Sequence, residues 1–234
     1  PEGEQVNIYG NHVGSWNFAA TAYLNRWKVK IYYEHYFDDH SQMFFQYGRW
    51  KDGHIGLEIT FPKNRFIDTF VYEGLGTKDQ TGPMLYDSFW GEFEEQISAK
   101  DNYYNHYLYQ GWQHWGMGIG NPLLPGPIYN KNGQITFISN RVLAHHIGFC
   151  GSPCQSLSYR MLLSYSRHWG TYDNPLNEIK KQFNSLFEVT YAPQQLKGWS
   201  FTVSGAMDRG NLLGNNYGGM LVIRKQGIIK SGNK

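Results

Sequence analysis

The residues able to do chemistry in this chain of 234 residues fall into four groups, the first of which is a run of rings. Tyr103, Tyr104, Asn105 and His106 lead into Trp112, His114 and Trp115. Sugars are held by flat aromatic faces that cover their C–H surfaces, with amide, imidazole or guanidinium donors beside them, and this segment supplies both; the alternative reading is that the rings pack their own loop as a plug. Second is Arg141 with His145 and His146. Adjacent residues of a strand point to opposite faces, so the two imidazoles do not share one metal, and His146 reads as a hydrogen-bonding residue on the polar side. Third, Asp38, Asp39 and His40 follow His35, offering the oxygens Ca²⁺ prefers but without a recognised ligand spacing, so they read as a solvated loop. Fourth, Glu34, Glu58, Glu73, Glu188 and Asp208 are carboxylates of the kind a glycosidase pairs. No acid and base stand out among them. With Lys28, Lys30, Arg160 and Arg167 they read as a compensating charge network on one face. Arg167 and Trp169 complete the candidate polysaccharide contacts. No Gly-x-Ser-x-Gly, His-Glu-x-x-His or phosphate loop occurs, and neither catalysis, cofactor nor metal is expected.

Strands must position these groups. In Trp27–Phe37 the odd positions carry Trp27, Val29, Ile31, Tyr33 and Phe37, with His35 their only polar member, and the even ones Lys28, Lys30, Tyr32, Glu34 and Tyr36. A period of two is a strand signature, and about 9–11 residues suit a tilted membrane-crossing strand. Gly14–Leu24 alternates likewise and Asn25-Arg26 joins the two as a hairpin. Further strands are expected over His54–Phe61, Phe66–Gly74, Asn140–Phe149, Leu157–Ser166, Phe183–Tyr191, Trp199–Met207 and Tyr217–Ile223. Short turns (Asn25-Arg26, Pro62–Arg65, Gly151–Ser156, Ala192–Gly198) alternate with longer loops (Asp38–Asp52, Gly76–Ser139, His168–Gln182, Asp208–Asn216). Outer-membrane barrels alternate in that way. A short helix is expected at Asp87–Ile97, and the Gly- and Pro-rich Gly116–Asn132 is not a regular element. The fold class predicted is all-β: an antiparallel up-and-down transmembrane β-barrel with eight to ten strands here. Residues 1–234 would form one barrel domain or the C-terminal portion of one, with 75–139 a long outside or lumen-folded loop region.

Composition agrees. Aromatic and charged residues are each 17% and Gly is the commonest residue at 27, a profile of strands and turns and not of a helical bundle. No apolar run reaches the 18 or so residues of a transmembrane helix, which barrel strands do not need. A net charge of +2 asks for no nucleic acid. Cys150 and Cys154 are too few for a zinc site and are expected to staple their loop as a disulfide, with two free thiols as the alternative. Pro1-Glu2-Gly3-Glu4 is not a signal peptide, and a C-terminal piece of a longer exported protein is expected.

Several motifs are familiar together. Gly111-Trp112-Gln113-His114-Trp115-Gly116, Gly120-Asn121-Pro122-Leu123, Asn140-Arg141-Val142-Leu143-Ala144-His145-His146 and Tyr165-Ser166-Arg167-His168-Trp169-Gly170-Thr171-Tyr172 resemble the Bacteroidetes branch of the Wzi capsule-assembly family. So do Glu34 through Ser41 and Asp79-Gln80-Thr81-Gly82-Pro83. The resemblance implies a bacterial outer-membrane β-barrel with more strands than this chain supplies, whose partners are membrane lipid and a capsular or surface polysaccharide held lectin-like, without chemistry. No site residue is carried over from it. The alternatives are an outer-membrane channel for small solutes and a soluble β-sandwich glycan-active enzyme.

Overall fold

Alternation along each strand is realised as a single two-faced sheet. The computed structural model describes residues 14–37, 52–64, 66–80, 102–105 and 112–227. Strands β1 (Gly14–Leu24), β2 (Trp27–Phe37), β3 (Gly53–Thr60) and β4 (Thr69–Gly76) are followed by a two-residue ladder, β5 (Gln113–His114) with β6 (Met117–Gly118). Then come β7 (Val142–Cys154), β8 (Leu157–Gly170), β9 (Pro175–Tyr191), β10 (Trp199–Gly210) and β11 (Asn216–Lys225). Apart from β5 and β6 they form one nine-stranded sheet in chain order, every neighbour antiparallel. The protein is therefore all-β, an up-and-down meander. Among the described residues β1 and β11 each pair on one side only, and the sheet is open.

The register sorts side chains by face. Ala20 lies opposite Ile31, Ile31 opposite Leu57, Leu57 opposite Tyr72, Tyr72 opposite Ile147 and Ile147 opposite Leu163. The same row of faces continues through Phe187, Val189, Val203, Leu221 and Ile223. Large apolar side chains stand exposed across it, among them Phe18, Ile31, Ile55, Phe187, Val203 and Leu221. Exposed rings flank it: Trp27, Tyr191 and Trp199 at the short-turn end, and Trp16, Tyr165 and Tyr217 toward the other. Of the exposed large apolar side chains in these nine strands, only Tyr23, Met220 and Val222 face the opposite way, all on the edge strands.

The opposite face is polar, and a loop segment covers one end of it. Leu75, Val142 and Ala144 of the sheet meet Leu124 and Phe137 there, with Tyr36, Tyr104 and Leu123 packed against them. A missing side chain leaves room for a ring elsewhere on that face. Tyr32 lies flat over Gly56, where a Cβ would sit 2.0 Å from the ring.

Two sequence expectations change. His168–Gln182 is not a loop: β8 runs to Gly170, β9 starts at Pro175, and 171–174 joins them. Ser166, His168 and Gln182 are polar yet buried, which is why hydropathy hid these strand ends. The 211–215 connection is also short, so the long connections are 38–52 and 77–141. Cys150 and Cys154 form no disulfide; both are free thiols. They belong to one strand, four residues apart, so their Cα atoms are separated by about 13 Å in extended backbone, beyond the roughly 7 Å a disulfide spans. Asp87–Ile97 and the Asp38, Asp39, His40 group lie outside the described residues.

Gly56→Ala should displace the Tyr32 ring and cost about 1–3 kcal/mol as overpacking, read as a lowered unfolding midpoint in urea. An unchanged midpoint would show that the ring is free to move aside.

Candidate functional site

Three groups of side chains compete as the site. The first lies on the polar face. Lys28 meets Glu58 at 3.3 Å, Arg160 meets Glu188 at 3.4 Å, and the His54 ring lies between Glu34 at 3.4 Å and Glu73 at 3.5 Å. Tyr32 donates to Glu73, Ser204 to Glu188 at 3.0 Å and Asn184 to Asp208 at 2.8 Å. Every carboxylate of the expected network thus has a cross-strand partner on one face. Two members need comment. Lys30 stacks over Tyr32, 5.1 Å from its centroid. Arg167 is not in the network: it pairs in register with Leu143 and Lys181 on the apolar side, an odd number of residues from Arg160 in the same strand.

His146 faces the polar side, as strand parity requires, and its Nδ1 lies 2.7 Å from Ser164 Oγ. His145 faces the other way, its Nδ1 2.8 Å from Tyr72 Oη.

The second group is the covering segment, where Tyr103, Tyr104 and Asn105 are held by stacking and hydrogen bonds. Tyr103 is buried and donates to Asp52 Oδ2 at 3.1 Å. Tyr104 stacks on Phe137 at 4.8 Å between centroids. Asn105 clamps the Phe137 backbone from both sides, accepting from its N–H at 2.8 Å and donating to its carbonyl at 2.8 Å. Asn140, fully buried, donates to Tyr103 O at 2.8 Å and to Asn102 Oδ1 at 2.5 Å, and receives Gln80 Nε2 at 3.1 Å. Thr77 closes the seam, donating to Asn140 O at 2.7 Å and accepting from Val142 N–H at 3.0 Å. Between this segment and the sheet lies a cavity of about 480 Å³, lined by Tyr36, Phe37, His54, Tyr104, Asn121 and Pro122 among others. His106 lies outside the described residues.

From the same segment projects the β5–β6 hairpin. Trp115 and Gly116 form its two-residue turn, both with positive φ (52° and 78°), the geometry of a type I′ turn. Such a backbone is strained for a bulky residue, and Trp115 is 82% exposed. Its ring meets His114 edge to face at 6.2 Å. Trp112, at the base of the hairpin, has its indole N–H buried with no hydrogen-bond partner among the described residues.

The third group sits where the sheet meets that covered end. Arg141 N–H bonds Gly170 O and Trp169 N–H bonds Arg141 O, extending the β7–β8 ladder. Arg141 lies 3.8 Å over the Tyr172 ring, and Lys78 and Arg167 lie 5.0 and 5.4 Å from the Trp169 centroid. Arg141, Arg167 and Trp169 are thus brought together, apart from His146 and from the Trp115 hairpin. Lys78 and Tyr172 complete the group and were missed by sequence reasoning. Tyr172 closes the Tyr165–Tyr172 motif, and Lys78 follows in strand parity just past β4.

Chemically, the carboxylates are occupied by partners, the covering segment is a packed lid, and the basic–aromatic group presents cations and π faces. No protein-family model matches the chain, and no curated protein or solved structure matches it.

Burial pushes the Asp52 carboxyl up to about 7, opposed by the Asp79 N–H and Tyr103 O–H that donate to it and reinforced by the Asp79 charge. Its folded value exceeds its unfolded one, so the folded state keeps the proton longer, and stability falls as pH rises from about 4 to about 7. Hydrogen exchange of the Val142 and Phe137 amides should quicken across that window. Asp52→Asn should flatten the dependence; a profile unchanged by the substitution would assign it to another group.

Proposed function

We propose that the chain forms a wall of a bacterial outer-membrane β-barrel, Wzi-like in its motifs, that holds capsular or other surface polysaccharide without acting on it chemically. The carrying observation is the exposed apolar face of the nine-stranded meander, bounded by rings toward both ends. Exposed apolar patches beyond a few hundred Å² mark interaction surfaces, and an aromatic-girdled apolar band is the mark of a barrel exterior. Membrane lipid is then its solvent. Among the described residues the outer sides of β1 and β11 are unpaired, which favours a barrel closed by further strands, since a spanning sheet leaves no edge in hydrocarbon.

Holding is favoured over passage by the packed segment on the polar face, where Tyr103, Tyr104 and Phe137 are stacked, bonded or buried. A polysaccharide is the partner that the family-like motifs suggest. Trp115 is the contact residue best supported, as a strained, exposed indole beside an imidazole at a hairpin tip.

Fractionation tests the membrane part: the protein should leave the membrane pellet only with detergent, and recovery in the soluble fraction would end the reading. Ile31→Lys should cost about 2–4 kcal/mol if this mid-strand residue meets lipid, measured as unfolding in vesicles. A near-neutral effect would contradict the face assignment. Trp115→Ala should weaken retention of the source organism's own polysaccharide about tenfold while the sheet still assembles. Unaltered retention would remove the hairpin from the site.

A further inference from the structure

Carboxylates and cations are distributed unequally over the two faces. Every carboxylate at a paired position of the sheet (Glu34, Glu58, Glu73, Glu188, Asp208) is on the polar side. The apolar side has none at a paired position; Asp68, carried onto it by ladder bonds just before β4, lies at the short-turn end, and the charges at the covered end are cations. Arg167 lies opposite Lys181 on β8 and β9, and Arg209 lies opposite Phe183 on β10 and β9. The ladder bonds of Thr77, Arg141 and Trp169 past the ends of β4 and β7 carry Lys78 and Arg141 onto the same side, where both stack on rings. Five cations thus span β4 to β10 at the end where the covering segment packs. None of them makes an ion pair with a described carboxylate, whereas Lys28, Arg160 and Lys180 on the polar side each do.

Their setting is as telling as their sign. Under four of the five, the residue two places inward on the same face is large and apolar: Tyr165 below Arg167, Phe183 below Lys181, Met207 below Arg209 and Leu143 below Arg141, while Gly76 lies below Lys78. Trp169 and Tyr172 hold the three stacked cations in place. A row of cations bordering an apolar wall matches an amphiphile with an anionic head and hydrocarbon tails. A soluble acidic polymer would have no use for the apolar residues beneath.

We infer that this belt binds the phosphate groups of outer-leaflet lipid headgroups, with the acyl chains lying on the apolar face below. Guanidinium forks suit phosphate oxygens, and lysines add point charge. The inference rests on the membrane reading above and goes beyond it, because it names the lipid selected and the residues that select it.

The test uses the full-length protein in phosphatidylcholine vesicles containing brominated phosphatidic acid or, in parallel, brominated phosphatidylcholine, with tryptophan quenching as the readout. Brominated phosphatidic acid should quench at lower mole fraction. Arg167→Gln, Lys181→Gln and Arg209→Gln together should lower that preference by roughly fivefold per cation lost. The exposed single variant Arg209→Gln serves if the triple variant does not assemble, and Lys30→Gln on the polar face should leave the preference intact. Equal quenching by the two lipids, or a preference the substitutions do not touch, overturns the belt while the membrane reading stands. Failure of the unaltered protein to enter either vesicle overturns the membrane reading itself. Loss of polygalacturonate binding with lipid preference unaltered would assign the belt to an acidic glycan and overturn the lipid assignment.

Discussion

A side chain in a β-strand has two directions open to it, and the successive registers here tie all nine strands to a shared choice. A slip of one residue in any ladder would turn Glu58, Glu73 or Glu188 onto the side occupied by Ile59, Tyr72 and Phe187. The cross-strand pairs guard against it. Lys28 with Glu58, Arg160 with Glu188, Tyr32 with Glu73 and Thr190 with Thr202 all need these side chains on one face, which a one-residue slip would deny. Each is individually weak, since partly exposed ion pairs contribute about 0–1 kcal/mol. Their value is in excluding alternatives, because the slipped sheet would leave charges without partners on an apolar surface.

The polar face solves a different problem at its covered end. A loop laid on a sheet buries backbone groups that no ladder satisfies, so side chains must do so. Asn140, Thr77, Asn105 and Asp52 take that role, each bonding main chain across long sequence separations. Apolar contact among the described residues comes from the Leu75, Leu124, Phe137, Val142 and Ala144 cluster with Tyr36, Tyr104 and Leu123 against it. The segment is thus held chiefly by a polar network whose members depend on one another. Rings rich in sugar-binding chemistry, Tyr103 and Tyr104, are committed to that packing.

Legibility followed the same physics. The bounds of β1 and β2 were readable to the residue because their alternation is unbroken and a tight turn separates them. The upper parts of β8 and β9 were not, because their inward residues are polar and buried beneath the covering segment, and a hydropathy pattern cannot distinguish that from a loop. Carboxylates of the network were found by parity alone. Arg167 was assigned to the wrong face despite lying at odd separation from Arg160, since its strand was read only to Ser166. Of the site candidates, Arg141, Arg167 and Trp169 do cluster, and Lys78 and Tyr172 join them only once the ladders past β4 and β7 are known. The cysteine pair shows the opposite error: spacing suggested a loop, and an extended strand lies there instead.

One further property belongs to the last hairpin. Gly205 lies opposite Gly219, and Ala206 opposite Gly218. A side chain added at Gly205 or Gly218 would meet nothing within 4 Å. Midway along β10 and β11, then, a crosswise line almost bare of side chains crosses this hairpin and ends at Phe187 and Leu186 of β9. Neither face has bulk there to resist bending, and glycine kinks are where sheets curl. That line is a corner in the making: any closure that brings a further strand to β11 can fold the wall there without moving the ladders behind it.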